Sequence, residues 1–352
     1  MPIGTPFRLT AMATAFAASV TLGAAPAEAQ SIEEKYAGET LTILIGHPPG
    51  GSYDLYAQLA AAFLGEHVPG NPNVIVQHMP GGGGRQASAH FINNTEPDGM
   101  TVAILPDTLP HIQLLEPERA QWDSSKFRYI GRFANANAAF LVRKDAPATT
   151  IEQMRETEII VGCTGRGARS GQQPTAMRNL AGLKFRVICG YQGSAATELA
   201  TQRGEVDMVT ENWAAVAAKP EQVESGEMIV VLQAGLERDP DLPDVPLLFE
   251  VVDDPKAKEV LRFISAGAPI GRSMMIHPDT DEETIAALRE AFDAMASDPD
   301  FLAEAERRQA IIDPMGGAEV EAIMAELMKT PAEIIEAAQV AMDASAAEEV
   351  AQ

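Results

Sequence analysis

Four glycine-rich loops are the places in this chain where chemistry could be done. They are His47-Pro48-Pro49-Gly50-Gly51-Ser52, Pro80-Gly81-Gly82-Gly83-Gly84, Gly162 to Gly171, and Gly190-Tyr191-Gln192-Gly193-Ser194. Each lies between a short apolar run and a helical stretch. A helix start leaves backbone N–H groups without acceptors and carries the positive end of the helix dipole. Glycine lets a ligand approach those amides closely. The chemistry this favours is the holding of an anion. Any one such junction reads equally well as a tight turn, so the case rests on their recurrence, two in each half of the chain. Arg166 and Arg169 in the third loop could clamp a carboxylate in bidentate fashion, or be solvated loop arginines. Tyr53 either walls a cleft or packs as a core aromatic. Asp54 suits the ordering of its helix start better than a ligand contact. His47, His78 and His111 read as loop or strand-end histidines rather than ligands.

Catalytic patterns are missing from the sequence. His47-Pro-Pro-Gly-Gly51 has the look of an esterase oxyanion loop, but no G-x-S-x-G nucleophile elbow accompanies it. There is no clean G-x-G-x-x-G after the first strand and no G-x-x-x-x-G-K-[ST]. No carboxylate pair is marked by its setting as general acid and base, and no His/Cys spacing suggests zinc. The reading is of a binding protein without cofactor or metal, with an exported α/β enzyme as the weaker rival.

The elements that must position these loops alternate. Leu41 to Ile45, Val74 to Gln77 and Thr101 to Leu105 read as strands in the first half, with helices over Tyr53 to Leu64 and Arg85 to Ile92. Phe140 to Val142, Ile159 to Val161, Phe185 to Ile188, Val206 to Val209 and Ile229 to Leu232 read as strands in the second. Thr149 with Glu152, and Thr280 with Glu283, read as capping boxes. Strands separated by helices imply right-handed crossovers and parallel sheets. In such sheets ligands bind beyond the carboxyl ends of the strands.

Residues 30–352 exceed one comfortable core and predict two lobes. The expected division is 30–135 plus 240–352 for lobe 1 and 136–239 for lobe 2, after a signal peptide over 1–29. That peptide is read from Arg8, the apolar run Leu9 to Leu22 and the Ala27-Glu28-Ala29 cleavage pattern. It places the mature chain in the periplasm. The net charge of −24 disfavours nucleic acid and anionic lipid as partners. It also opposes an anionic ligand weakly, but screening over about 8 Å lets strong local donors prevail. Cys163 and Cys189 end consecutive strands, so a disulfide is open but undecided by sequence.

The run Gly46 to Asp54, followed by Pro80 to Gly84 and Pro97-Asp-Gly-Met-Thr101, resembles the tripartite tricarboxylate transporter receptors, or Bug proteins. Gly190 to Ser194, Arg203-Gly-Glu-Val-Asp207, Leu242-Pro-Asp-Val-Pro246, Ala268-Pro-Ile-Gly-Arg272 and Asp298-Pro-Asp-Phe301 continue the resemblance in order along nearly the whole mature chain. It implies a type II periplasmic-binding-protein fold, two parallel-sheet lobes around a central cleft. It implies a non-enzymatic receptor for a small organic carboxylate, whether a di- or tricarboxylate or an aromatic acid. The receptor would deliver its cargo to a two-component membrane permease. A sensor adaptor for a membrane kinase is the alternative. A monomer is expected, because one chain holds both walls of the cleft. Carried over from the resemblance, the ligand-binding positions are Pro49, Gly50, Gly51, Ser52, Tyr53, Asp54, Gly82, Gly83 and Gly84 from one lobe. From the other they are Gly165, Arg166, Gly167, Ala168, Arg169, Ser170, Tyr191, Gly193 and Ser194. Tyr53 stands where many relatives have a small hydroxyl residue, His78 where Asn is frequent, and Ala168 where Ser is common. The added aromatic and cations suit a larger or more highly charged acid.

Overall fold

The computed structural model describes Met1 and residues 31–343. The expected export signal, with Leu9 to Leu22 and Ala27 to Ala29, lies outside the described residues apart from Met1. Among the described residues eleven strands form two sheets: β1 (Thr40–Ile45), β2 (Asn73–His78), β3 (Thr101–Ile104), β4 (Arg128–Arg132), β5 (Ala138–Arg143), β6 (Ile159–Cys163), β7 (Phe185–Cys189), β8 (Met208–Asn212), β9 (Met228–Ala234), β10 (Ser273–Ile276) and β11 (Met315–Gly316). The first sheet has the order β11-β4-β10-β3-β1-β2, the second β7-β6-β8-β5-β9.

Both sheets are mixed. β1 runs parallel to β2 and β3, and β6 runs parallel to β7 and β8, as the alternation of strands and helices implies. The strands on either side of the crossings between sheets are the antiparallel ones: β10 against β3 and β4, and β5 against β8 and β9. β4 and β10 escape a reading by periodicity because they are only five and four residues long. β10 is buried along its whole length and so carries no alternation.

Helices cover the sheets through apolar faces. The Ser52–His67 helix buries Tyr56, Ala57, Leu59, Ala60 and Leu64 on the first sheet. Asp281, not Thr280, caps the Glu282–Ala296 helix, its side chain accepting from Thr284 N at 2.8 Å. Likewise Thr150, one residue after Thr149, caps the Ile151–Glu156 helix and accepts from Gln153 N. Ala257, Val260, Leu261 and Ile264 lie on the buried face of the Pro255–Ser265 helix, which opens on an Asp254 cap with Pro255 in its first turn.

The chain passes between the sheets at residues 133–137 and returns before β10. The two crossings lie side by side. Phe133 N donates to Arg272 O at 2.8 Å, Arg272 N to Ala134 O at 3.0 Å, and Ala136 N to Ala268 O at 3.0 Å. Gly271 makes this approach possible: its φ is +58°, and a Cβ there would meet Ala134 O at 2.1 Å. Arg272 therefore emerges at the junction of the two lobes.

Candidate functional site

The loops of the first sheet converge because its parallel strands end at one edge. A Cβ on Gly46 would meet Gly84 Cα at 2.7 Å, and one on Gly84 would meet Pro106 Cγ at 2.5 Å and His47 Cε1 at 3.4 Å. The loops after β1, β2 and β3 thus touch at glycines. The first loop is braced by Asp54, whose carboxylate accepts from Gly50 N at 2.8 Å, pairs with His78 Nε2 at 2.8 Å and accepts from Gln58 at 3.2 Å. Burial opposes the charge, but these hydrogen bonds hold the Asp54 carboxyl below its ordinary value. The brace leaves the start of the Ser52–His67 helix open. Its cap is Gly51, which has no side chain to satisfy the first N–H groups.

Tyr53 joins this loop to Arg272. Its ring stacks on His47, with centroids 4.0 Å apart and planes within 1°. The Arg272 guanidinium lies over the same ring, 4.0 Å from its centroid. Arg272 Nε donates to Ser52 Oγ at 2.9 Å. Ser52 keeps its own O–H proton to give elsewhere. Burial, then the charge of Arg272, pulls His47 down to about 4, so its ring is neutral at physiological pH.

The second lobe meets this cluster through Arg169, the first residue of the Arg169–Ala181 helix. Its guanidinium pairs with Asp107, in the loop after β3, and donates to Ala136 O on the first crossing. Asp107 Oδ2 also lies 3.7 Å from Arg272 Nη1. Asp107 is 3% exposed and Arg272 4%. Arg272 Nη1 is buried and makes no hydrogen bond among the described residues. Burial, followed by Arg272, pulls Arg169 down to about 10, and it stays cationic at neutral pH.

Beside Arg169 a cavity of about 10 Å³ is lined by Thr108, His111, Gln173 and Ser265 among others, room for one water and no more. A carboxylate entering here requires the lobes to part at the Asp107–Arg169 contact. A much larger cavity, about 1750 Å³, is lined by Arg119, Arg166, Phe185 and Val260 among others. None of Ser52, Asp107 or Arg272 lines it. The cluster at the lobe junction is the stronger candidate, because there the buried Arg272 and the half-buried Arg169 of the opposite lobe converge on Asp107.

The second lobe's remaining loops are tied together. A disulfide joins Cys163 and Cys189, register partners at the ends of β6 and β7. Ser170 Oγ accepts from Thr164 N at 3.2 Å and tightens the loop between them. Thr197 Oγ1 lies 2.7 Å from Ser194 O and 3.0 Å from Glu211 Oε1, near the end of β8, and shares its single proton between the two acceptors. Burial pushes Glu211 up to about 7, against the Thr197 bond and with the help of Glu198.

Of the residues expected from sequence, Ser52, Tyr53 and Arg169 come together around Arg272 and Asp107. Pro49, Gly50 and Gly51 form the outer turn of the first loop, and Asp54 turns to its protein partners. Gly84 is buried beneath the cluster, while Gly82 and Gly83 are exposed. Gly165, Gly167, Ala168 and Ser170 shape the turn that presents Arg169. Arg166 is exposed and faces the larger cavity. Tyr191 packs against the core of the second lobe. Gly193 and Ser194 open the Ser194–Gln202 helix. Sequence reasoning missed Asp107 and Glu211 altogether, and reached Arg272 only as the end of the stretch Ala268 to Arg272.

Residues 64–339 match the family model described as "Tripartite tricarboxylate transporter family receptor". This chain belongs to that family. The TctC receptors are binding proteins, and this chain is a solute-binding protein of their kind. Among its relatives, the UPF0065 protein in gbd 5'region of Cupriavidus necator is 26% identical over 298 residues, 81% of this chain and 83% of that one. The solved periplasmic binding protein BugD is 19% identical with a TM-score of 0.67, covering 87% of this chain and 99% of its own. MatC from Rhodopseudomonas palustris, solved with bound malate, is 19% identical with a TM-score of 0.65, over 87% and 99%. These structures share the two-lobed periplasmic-binding-protein fold.

Proposed function

We propose that this receptor is exported to the periplasm, captures a small organic carboxylate between its lobes as a monomer, and hands it to a two-component membrane permease without transforming it. The observation that carries this reading is Arg272: a residue 4% exposed, whose Nη1 has no hydrogen-bond partner among the described residues. A buried donor left open is costly unless an acceptor completes it, and Asp107, 3.7 Å away, lies beyond hydrogen-bond distance. Around it stand the Ser52 hydroxyl, the uncapped start of the Ser52–His67 helix and, from the opposite lobe, Arg169. The malate bound by MatC is in keeping with this chemistry. The proposed ligand set on the first loop is Ser52 and Tyr53 with the helix-start amides. On the second lobe it is Arg169 with the turn from Gly165 to Ser170, and the helix start at Gly193 and Ser194.

A thermal-shift panel of carboxylates, amino acids, sugars and cations tests it. A ligand at a hundredfold excess over Kd stabilises the native state by about 2.7 kcal/mol, read as a rise of several degrees. The expected outcome is a rise with at least one carboxylate. A rise with sugars or cations alone contradicts the reading.

A further inference from the structure

The charge of the candidate site differs from what a count of its arginines suggests. Arg169 and Arg272 supply two positive charges, but Asp107 sits against both, paired with Arg169 and 3.7 Å from Arg272 Nη1. At 3% exposure it has almost no water to screen it. Of the other ionisable neighbours, Arg132 beside Gly271 is paired with Asp313 at 2.8 Å. His47 is neutral, and Asp54 on the same loop is ionised and paired with His78.

We propose that Asp107 determines which acids this receptor takes: it leaves the arginine cluster a single uncompensated positive charge, so the ligand enters with one carboxylate at this point and an uncharged remainder. This rests on the reading of the cleft as a carboxylate site and narrows it to monocarboxylates. The ligand's carboxylate accepts from Arg272 Nη1 and the Ser52 hydroxyl, the donors left open by the protein's own bonds. A second carboxylate on a small ligand falls within several ångströms of Asp107. Once one carboxylate has neutralised the cluster, a second finds no free cation there and would shed its water unpaired, which disfavours the diacid by at least about tenfold. The sequence shows the added cations; it does not show that a buried aspartate from a loop 62 positions before Arg169 cancels one of them.

Titration calorimetry at pH 7 with matched acids tests this: butyrate with succinate, hexanoate with adipate, benzoate with phthalate. The wild-type protein is expected to bind the monoacid of its best pair at least about tenfold more tightly. Asp107→Asn is expected to shift that ratio at least tenfold toward the diacid. Should Asp107→Asn fail to fold, as judged by its melting transition, Arg169→Gln supplies the opposite perturbation. Removing one positive charge with Asp107 in place penalises the diacid further. A wild-type preference for the diacid, or a ratio unmoved in the variants, overturns the role of Asp107. A merely structural aspartate would weaken both acids of a pair alike. Silence from every acid in the wild-type protein overturns the carboxylate reading beneath it.

Discussion

Replacing Glu211 with Gln makes the fold more stable, and by an amount that grows with pH. Glu211 ends up half-buried where β8 meets the Ser194–Gln202 helix, and burial pushes it from 4.5 to about 7. A folded pKa above the unfolded one means the unfolded chain ionises first. The group's favourable contribution is complete below about 4.5 and is lost as pH rises through 7. Working the linkage through with those two values, ionisation of Glu211 costs the fold about 1 kcal/mol at pH 5.5 and about 3 kcal/mol at pH 8.5. Glutamine keeps the oxygen that accepts from Thr197 and removes the charge. The stability gap between Glu211→Gln and wild type should therefore widen by about 2 kcal/mol between the two pH values. In a chain of this size that is roughly 4 °C in Tm. Scanning calorimetry of both proteins at pH 5.5 and 8.5, each above the sequence pI of about 4.6, reads it directly. A gap that stays constant, or a variant less stable at pH 8.5, would refute the burial argument.

His47 behaves in the opposite sense. Its folded pKa is depressed to about 4, so its contribution is present above the ordinary value of 6.5 and lost as pH falls toward 4. His47→Asn should remove about 1 kcal/mol of the wild-type stability loss between pH 7 and 5.5, measured from denaturant midpoints. Replacing Cys163 and Cys189 together by Ser opens a loop of sequence separation 26 and should cost about 3–4 kcal/mol, also read from denaturant midpoints. An unchanged midpoint would mean the bond is not formed in the isolated protein.

What could be read from sequence and what could not divide along a physical line. The β1 and β6 strands, their glycine loops and the helices that follow are local patterns. Apolar runs, turn residues and helix starts lie within a few positions of one another, and the chain announces them. The arginine cluster is a product of topology. Arg272 meets Ser52 across 220 positions, because the return crossing lies against the first one and feeds β10 into the first sheet. Asp107 reaches Arg169 because the loop after β3 faces the helix that follows β6. Nothing in Leu105-Pro106-Asp107-Thr108 marks an aspartate that will be buried between two arginines. Pro106 against Gly84 is a signal only once the loops are known to converge. Arg166 and Arg169 had the same standing in sequence. The turn of the third loop separates them, sending one to the lobe junction and the other to the surface. Helix caps were off by one residue for a simpler reason. Asp281 and Thr150 have side chains as able to accept from the third helical N–H as their neighbours, and the local backbone decides between them.

The central claim is that a buried arginine at the lobe junction holds a ligand's carboxylate. Its most direct test is calorimetric titration of the wild type and of Arg272→Gln with the acid that raises the melting temperature most. A charged hydrogen bond of this kind is worth about 1.5–3 kcal/mol. The account predicts that the folded variant binds that acid roughly ten- to a hundredfold more weakly. Equal affinity in the two proteins would contradict it.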